Sequence, residues 1–191
     1  MKRRLFLHRS LPLLALPLVA ALPAVSRPRT SRPTKGIATP DGQAREHERI
    51  LVGPVPIQFK VLSKDTDGDL AAFVSANNVP GFGPPLHVHH SLDEFFCVLA
   101  GEFVFQVGAE QTRLHAGDTL LVPRHVPHAF DCVSAQPGKL LVAMQPAHRM
   151  EDFFRQLAQL LPGTGTLDLA AIEKLYQAHD STIVGPPLRL K

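Results

Sequence analysis

The chain has 191 residues, 45% of them apolar, which is enough for one domain with a full hydrophobic core and a short appendage but too few for two complete domains. Its formal net charge of +3 hides an uneven distribution. Residues 1–35 hold eight of the 20 Lys and Arg and none of the 17 acids, so the remainder has a net charge of −5. This acidic remainder lacks the basic surplus of a nucleic-acid-binding surface, and nucleic acid is excluded as an expected partner.

The N-terminal residues predict an export signal. Basic residues flank an apolar run, and Arg3 and Arg4 in "KRRLFLHRS" resemble the twin-arginine export motif. The run is shorter than the roughly 20 residues of a membrane span and contains three prolines. We therefore expect a cleaved signal peptide at 1–26, no stable membrane span afterwards, and a periplasmic or secreted protein. Residues 27–49 are predicted to be a linker, disordered in its first part, which is rich in Pro, Ser, Thr and Arg.

Short β segments separated by turn residues follow the linker. Their spacing, with glycines in the turns, predicts a compact antiparallel barrel or sandwich over residues 50–148. The predicted strands are Ile57–Leu62, Leu70–Val74, Leu86–His89, Glu94–Leu99, Phe103–Val107, Gln111–Leu114, Thr119–Val122, His128–Cys132 and Leu140–Met144.

In the C-terminal region, 149–191, the apolar residues no longer alternate as in a strand but recur at the spacing of an α-helix. Apolar residues at helical spacing predict an amphipathic helix over Met150–Leu161, ended by Pro162 and Gly163. A second helix is predicted from about Asp168 to His179, with Asp168 as its N-cap. We expect these helices to cover the flank of the barrel or a subunit contact.

The two cysteines, Cys97 and Cys132, are predicted to be free and buried. Cys97 lies an odd number of residues from Glu94, and Cys132 an even number from His128. If Glu94 and His128 both point inward, strand alternation directs the two sulfurs to opposite faces.

Three ligand-capable side chains lie close together in the segment "PPLHVHHSLDEFF". Residues two apart on a strand face the same side, so His87 and His89 can present two imidazoles to one ion, and Glu94 follows after a short turn. Two histidines and one carboxylate are the ligand set of open non-haem iron sites. His90 is out of phase with this pair and is expected to lie at the surface or behind the ligands.

Two motifs in this region resemble those of the cupin superfamily. The first, G-x5-H-x-H-x4-E-x6-G, is matched by Gly81, His87, His89, Glu94 and Gly101. The second, G-x5-P-x-G-x2-H-x3-N, is separated from the first by fifteen residues and is matched at three of its positions, Gly117, Pro123 and His128.

The second motif departs from the family at two positions. His125 replaces its middle glycine, and Cys132 stands where asparagine is usual. Neither position is a metal ligand in the family. The turn at His125 is expected to need a backbone conformation that glycine adopts more easily.

The resemblance implies an all-β fold, a cupin jelly-roll (double-stranded β-helix) barrel with a short helical C-terminal extension. It also implies one divalent metal ion held by His87, His89, Glu94 and His128, with Fe, Mn, Ni or Cu expected ahead of Zn. Glu94 is the candidate catalytic residue, because a carboxylate that loosens from a metal can accept a proton. By strand alternation, Phe96, Val98 and Phe130 should face inward and line an apolar substrate pocket.

The chain contains "PPLHVHHSLDEFFCVLAGEFVFQVG", "VPRHVPHAF", and, near the C-terminus, "EDFFRQLAQLL" and "VGPPL". In these segments it is similar to small single-domain (cupin type-2) members of the quercetin dioxygenase-like group. This similarity implies a dioxygenase acting on a flavonol-like or other enolisable aromatic small molecule, and it implies a homodimer. Two alternatives stay open because related sites perform different chemistry. One is a non-oxidative isomerase or decarboxylase, and the other is a metal-dependent protein that binds a small molecule without turnover.

Overall fold

The computed structural model describes residues 32–161 and 167–188 of the chain, and within them the backbone forms eleven β-strands and two α-helices. The strands are β1 (Ile50–Val52), β2 (Val55–Val61), β3 (Ala71–Asn78), β4 (Pro85–His89), β5 (Asp93–Ala100), β6 (Glu102–Val107), β7 (Glu110–His115), β8 (Thr119–Val122), β9 (His128–Cys132), β10 (Gly138–Gln145) and β11 (Ser181–Pro187). The helices are α1 (Met150–Leu160) and α2 (Leu169–Ala178).

The strands form two antiparallel sheets. The first has the order β1-β2-β3-β10-β5-β8, and the second has the order β11-β4-β9-β6-β7. Strands distant in sequence, such as β3 and β10, are neighbours, because the chain crosses repeatedly from one sheet to the other. The two sheets make the jelly-roll barrel that the motifs predicted.

All nine predicted strands are present. Those at Thr119–Val122 and His128–Cys132 have the predicted bounds, and the other seven differ by one to four residues at an end. Two strands were not predicted, β1 and β11. The first has only three residues, and the second contains Gly185 followed by two prolines, a composition typical of a turn.

The hydrophobic core lies between the sheets. Along β5 the residues Glu94, Phe96 and Val98 are at most 5% exposed, whereas Phe95 is 37% exposed and Leu99 is 45% exposed. This alternation is the one predicted for a strand with one face on the core. The ring of Phe96 packs against that of Phe105 from the opposite sheet, with centroids 4.9 Å apart.

Both predicted helices are present and cover the flank of the barrel. Helix α1 directs Phe154 against Phe73 of β3, with ring centroids 4.7 Å apart. Helix α2 begins at the predicted N-cap, since the backbone N–H of Ala171 donates to Asp168 Oδ1 at 2.9 Å. The predicted stop at Pro162 and Gly163 lies outside the described residues.

Both cysteines are free, as predicted. Cys132 is buried, but Cys97 is only half-buried, because it lies on β5 among the outward-facing residues. The prediction of burial is therefore wrong for Cys97. Cys97 lies on the first sheet and Cys132 on the second.

The predicted signal peptide, 1–26, and the first five residues of the predicted linker lie outside the described residues. The later part of the linker lies along the barrel. Arg45 pairs with Asp65 at 2.8 Å, and Lys60 Nζ donates to the carbonyl of Pro40 at 3.0 Å. In the part of the chain that the structure covers, neither helix is long and apolar enough to cross a membrane.

Candidate metal centre

Four side chains with metal-ligand chemistry meet on the inner face of the barrel. They are the four predicted ligands, His87, His89, Glu94 and His128. One donor atom from each lies within 4.8 Å of the other three. The arrangement places three imidazole nitrogens and a carboxylate oxygen around a common point.

Three strands position these side chains, two adjacent strands of one sheet and one strand of the facing sheet. His87 and His89 are two residues apart on β4 and share a face, while Val88 points the other way. His87 is directly opposite His128 of β9 in the antiparallel register. Glu94 is the second residue of β5, which belongs to the facing sheet, so its carboxylate approaches the imidazoles from across the barrel.

The cluster is enclosed by protein. His87, His89 and Glu94 are 5–6% exposed, and His128 is 1% exposed. His90 is excluded from the cluster, as predicted, because it is exposed, and its Nε2 lies 2.8 Å from the hydroxyl of Thr182. Polar side chains buried this close together need hydrogen-bond or metal partners, because each buried polar group left without a partner lowers the stability of the fold by about 1–3 kcal/mol.

The outer ring nitrogens of two histidines are held by backbone carbonyls. His87 Nδ1 lies 2.8 Å from the carbonyl oxygen of Pro85, and His128 Nδ1 lies 3.2 Å from that of Val126. A carbonyl oxygen can only accept a hydrogen bond, so each Nδ1 carries the proton and donates it. The Nε2 lone pairs of both rings therefore point into the cluster.

This donor set fits a divalent metal ion. Glu94 Oε2 lies 3.2 Å from His89 Nε2 and 3.0 Å from His128 Nε2. Two ligand atoms about 2.1 Å from one ion and at right angles to each other are separated by roughly 3 Å. Lone pairs of imidazole and carboxylate at such distances repel each other unless a cation or a proton lies between them.

Burial and mutual contacts shift the pKa values of the cluster. Burial lowers the pKa of His87 to about 3, and the neighbouring His128 and His89 act in the same direction. Burial acts to raise the pKa of Glu94, but hydrogen bonds from His128 and His89, when their Nε2 atoms are protonated, outweigh this effect and hold the pKa below the ordinary carboxyl value, and a cation in place of those protons would act in the same direction. At neutral pH the set therefore includes a neutral His87 and an ionised Glu94, the states that ligate metals.

Tyr176 is a neighbour of the cluster that the sequence analysis missed. Its ring, on α2, lies edge to face against the imidazole of His87, with centroids 5.5 Å apart, and the residue is 4% exposed. Burial raises the pKa of the phenol, and the charge of Glu94 raises it further, so the hydroxyl stays protonated at neutral pH. The available signal was that the chain's single tyrosine lies on the apolar face of a predicted helix.

The turn before His128 has the predicted conformation. His125 has a φ of 68°, in the left-handed region that favours glycine, the residue usual at this motif position. Its backbone N–H donates to the carbonyl of His89 at 2.8 Å. The turn is thereby joined to the strand that carries two of the candidate ligands.

Aromatic side chains lie beside the cluster. The Phe96 ring is 6.3 Å from the His128 ring and 5.4 Å from the Phe130 ring, measured between centroids. Phe96 and Val98 are fully buried and Phe130 is half-buried. All three pack with the hydrophobic core, and their role as a substrate pocket stays a prediction.

Comparisons with known proteins identify the same domain. The Cupin_2 family model, described as a cupin domain, matches residues 78–144, which contain all four candidate ligands. The uncharacterised protein MJ1618 of Methanocaldococcus jannaschii is 28% identical over 67 residues. This match covers 35% of the chain and 54% of the relative, so the chain spans about half the length of the curated relative it matches.

Two solved structures that align with the chain are an RmlC-like cupin and KdgF. An RmlC-like cupin from Shewanella frigidimarina NCIMB 400 aligns with a TM-score of 0.50 and 25% identity, over 63% of this chain and 96% of that one. KdgF from Halomonas sp. aligns with a TM-score of 0.47 and 21% identity, over 53% of this chain and 88% of that one. Given the family match over residues 78–144, the jelly-roll topology and the buried His/Glu cluster, the β-barrel of this chain is a cupin domain.

Proposed function

We propose that this protein is an exported, metal-dependent dioxygenase that acts on a flavonol-like or other enolisable aromatic small molecule. The observation that carries the proposal is the convergence of three imidazole nitrogens and one carboxylate oxygen within 4.8 Å, with two of the imidazoles oriented by backbone carbonyls. Four such ligands leave positions open on an ion that prefers six-coordination, and an enzyme needs such positions to bind a substrate.

The residues that would hold the metal are His87, His89, Glu94 and His128. A redox-capable divalent ion held there, such as iron, manganese, nickel or copper, would supply Lewis acidity and the ability to hold two reactants side by side. Three neutral imidazoles and one carboxylate leave such an ion with a net charge of +1. This residual charge favours an anionic oxygen, such as an enolate or a phenolate, as the substrate ligand.

Glu94 is proposed as the proton acceptor. Its carboxylate is held ionised, which is the state that accepts a proton from an enolic or phenolic hydroxyl. Its two imidazole neighbours lie 3.0 and 3.2 Å from Oε2, so proton transfer to this oxygen requires one of these contacts to loosen. No hydrogen bond of Oε1 is found among the described residues, and this oxygen is the better placed of the two to accept the proton.

The surroundings of the cluster suit an aromatic ligand. Phe96 and Phe130 meet edge to face on one side, and Phe96 lies against the imidazole of His128. On another side the protonated phenol of Tyr176 is close enough for its pKa to respond to the charge of Glu94. Apolar walls exclude water from the reacting atoms and strengthen the electrostatic interactions between them.

The similarity to quercetin dioxygenase-like proteins supports oxygenation as the reaction class. It rests on the segments "PPLHVHHSLDEFFCVLAGEFVFQVG" and "VPRHVPHAF" around the two motifs, and on "EDFFRQLAQLL" and "VGPPL" near the C-terminus. Isomerisation, decarboxylation and binding without turnover are the competing uses of such a site. The identity of the bound metal and the uptake of oxygen distinguish oxygenation from these uses.

The first test is elemental analysis of the exported protein from its native host, followed by oxygen uptake with quercetin, catechols and enediols. We expect one redox metal per chain and substrate-dependent oxygen consumption. A stoichiometric redox metal without oxygen uptake across the panel, or zinc in its place, would overturn the dioxygenase proposal. Either result would favour a non-oxidative enzyme or a binding protein.

Export through the twin-arginine pathway is the second part of the proposal. Its support is the pair Arg3 and Arg4 before an apolar run, together with a buried metal site of the kind that benefits from folding before transport. We expect the Arg3→Lys, Arg4→Lys double variant to stay in the cytoplasmic fraction, while the wild type is found outside it. Equal distribution of the two proteins would contradict this route.

A further inference from the structure

The C-terminal strand β11 lies directly beside β4, the strand that supplies two of the candidate ligands. In the antiparallel register Ser181 is opposite His89, and Thr182 is opposite Val88. Directly opposed residues project to the same face of a sheet. Ser181 therefore reaches the inner face of the barrel next to His89, although 92 residues separate the two in the chain.

A buried hydrogen-bond chain joins the two residues. His89 Nδ1 lies 2.7 Å from Ser181 Oγ, and Ser181 Oγ donates to the carbonyl of His179 at 3.2 Å. A serine hydroxyl has one proton to donate, so with that proton on the His179 carbonyl it accepts from His89 Nδ1–H. Ser181 is 3% exposed, which leaves little room for water to take its place.

His89 differs from the other two histidines in how it is oriented. His87 and His128 donate to carbonyl oxygens two residues away in sequence, within their own segments of chain. His89 instead depends on a side chain from the C-terminal extension. Among the described residues, Ser181 is the only hydrogen-bond partner of its Nδ1.

Loss of this partner would favour a tautomer that cannot ligate. With the proton on Nε2, His89 would donate to Glu94 Oε2, which is 3.2 Å away. That hydrogen bond would occupy two of the four candidate ligand atoms at once. The Ser181 hydroxyl opposes this state by holding the proton on Nδ1.

We propose that Ser181 is a positioning residue for the metal ligand His89, so that the C-terminal strand completes the metal centre of the barrel. The inference rests on the metal centre proposed above and adds a residue outside both cupin motifs. Hydrogen bonds from ligand histidines to such partners fix the tautomer and the ring direction, and their loss typically lowers metal affinity 10–100-fold.

The test measures Zn²⁺ affinity of the full chain, stripped of metal, by competition with a chromophoric chelator. We expect Ser181→Ala to bind Zn²⁺ about 10–100-fold more weakly than the wild type. Ser181→Thr keeps the hydroxyl and should recover most of the affinity. Thermal melting of each metal-free variant checks that it is folded.

Thr182→Val is the matched control. Thr182 lies on the same strand and its hydroxyl also contacts a histidine, His90 Nε2, at 2.8 Å. Because His90 is exposed and outside the cluster, this variant should bind Zn²⁺ as the wild type does. Equal affinity of Ser181→Ala and wild type would overturn the inference while leaving the metal centre intact, and so would an equal loss in Thr182→Val.

A spectroscopic measurement on the wild type keeps the test independent of any variant's folding. In the Zn²⁺-loaded protein, two-bond ¹H–¹⁵N NMR correlations should show His89 with its proton on Nδ1. A ring protonated on Nε2 would overturn the positioning role. A wild type that binds no Zn²⁺ would instead overturn the metal centre itself, and this inference with it.

Discussion

The ring of Tyr176 lies edge to face against the imidazole of His87, with centroids 5.5 Å apart, and so joins helix α2 to the buried cluster. The same tyrosine ring meets Phe153 of α1 at 5.0 Å, nearly perpendicular to it. One aromatic side chain thus connects both C-terminal helices to a candidate metal ligand. The helical extension is part of the packing around the site.

The packing of Tyr176 predicts a contrast between two substitutions. Tyr176→Phe keeps the ring, and its hydroxyl has no hydrogen-bond partner among the described residues, so stability should change by less than about 1 kcal/mol. Tyr176→Ala removes a ring that is 96% buried and should cost about 3 kcal/mol or more. Urea unfolding measures both values. Equal destabilisation by the two variants would show that the hydroxyl, and not the ring, matters to the fold.

Metal binding should require the inward-facing His87 and His89 and should not require the exposed His90. We expect the His87→Ala, His89→Ala double variant to retain no stoichiometric metal, because it loses half of the converging ligand atoms. His90→Ala is the matched control, since His90 is adjacent in sequence but exposed, and it should retain the wild-type metal content. Elemental analysis of the three proteins measures this. A full equivalent of metal in the double variant would refute the assignment of these ligands.

The left-handed backbone conformation at His125 predicts that glycine at this position will leave the stability of the protein unchanged or raise it. A non-glycine residue in this region costs about 1–2 kcal/mol, and glycine loses about 0.4–1 kcal/mol through the greater entropy of its unfolded chain. His125→Gly should therefore be neutral or stabilising by up to about 1 kcal/mol in urea unfolding. A loss of more than about 1 kcal/mol would mean that the imidazole itself stabilises the turn.

At Gly101, the last glycine of the first motif, replacement of glycine by a larger residue should lower the stability of the protein. The φ of Gly101 is 80°, and a Cβ there would lie 2.7 Å from Ser134 Oγ and 2.9 Å from the Cα of Gly138. Gly101→Ala combines backbone strain with a close contact and should destabilise the protein by more than about 1 kcal/mol. Unchanged stability of the variant would show that the backbone around Ser134 and Gly138 moves to accommodate the added methyl group at little cost in free energy.

The ion pair between Glu48 and Arg155 predicts a pH-dependent part of the stability. Arg155 donates two hydrogen bonds to the Glu48 carboxylate, at 2.7 and 2.8 Å, and holds its pKa below the ordinary value of 4.5. A carboxyl whose pKa is lower in the folded state stabilises the fold above its unfolded pKa, and this contribution is lost as the pH falls through the folded pKa.

The wild type should therefore be more stable than Glu48→Gln at neutral pH, and the difference should shrink below pH 4.5. Because both side chains are more than a third exposed, the difference should stay below about 1 kcal/mol. Urea unfolding across the acid range measures it. A difference that is constant or grows on acidification would contradict the assigned coupling.

Local patterns in the sequence predicted most of the strands and three of the candidate ligands, His87, His89 and Glu94, and the resemblance to the cupin motifs added His128 and the jelly-roll topology. Strand alternation is a property of the backbone, so the common face of Glu94, Phe96 and Val98 follows from their spacing, and their burial shows that this face is the inner one. The spacing of His87 and His89 likewise places both rings on one face. Helix α2 and its N-cap, Asp168, were predictable because capping involves residues three apart.

The tertiary structure alone decided how the C-terminal region meets the site. Strand β11 has a turn-like composition, and it is a strand because the edge of β4 offers it hydrogen-bonding partners. Pairing across 92 residues has no local signature, so the approach of Ser181 to His89 was not predictable from periodicity or spacing. The contact of Tyr176 with His87 likewise arises when α2 packs on the barrel. The sequence, with its two motifs, thus determined the candidate ligands and the face they occupy, while long-range strand pairing and helix packing decided which side chains surround them.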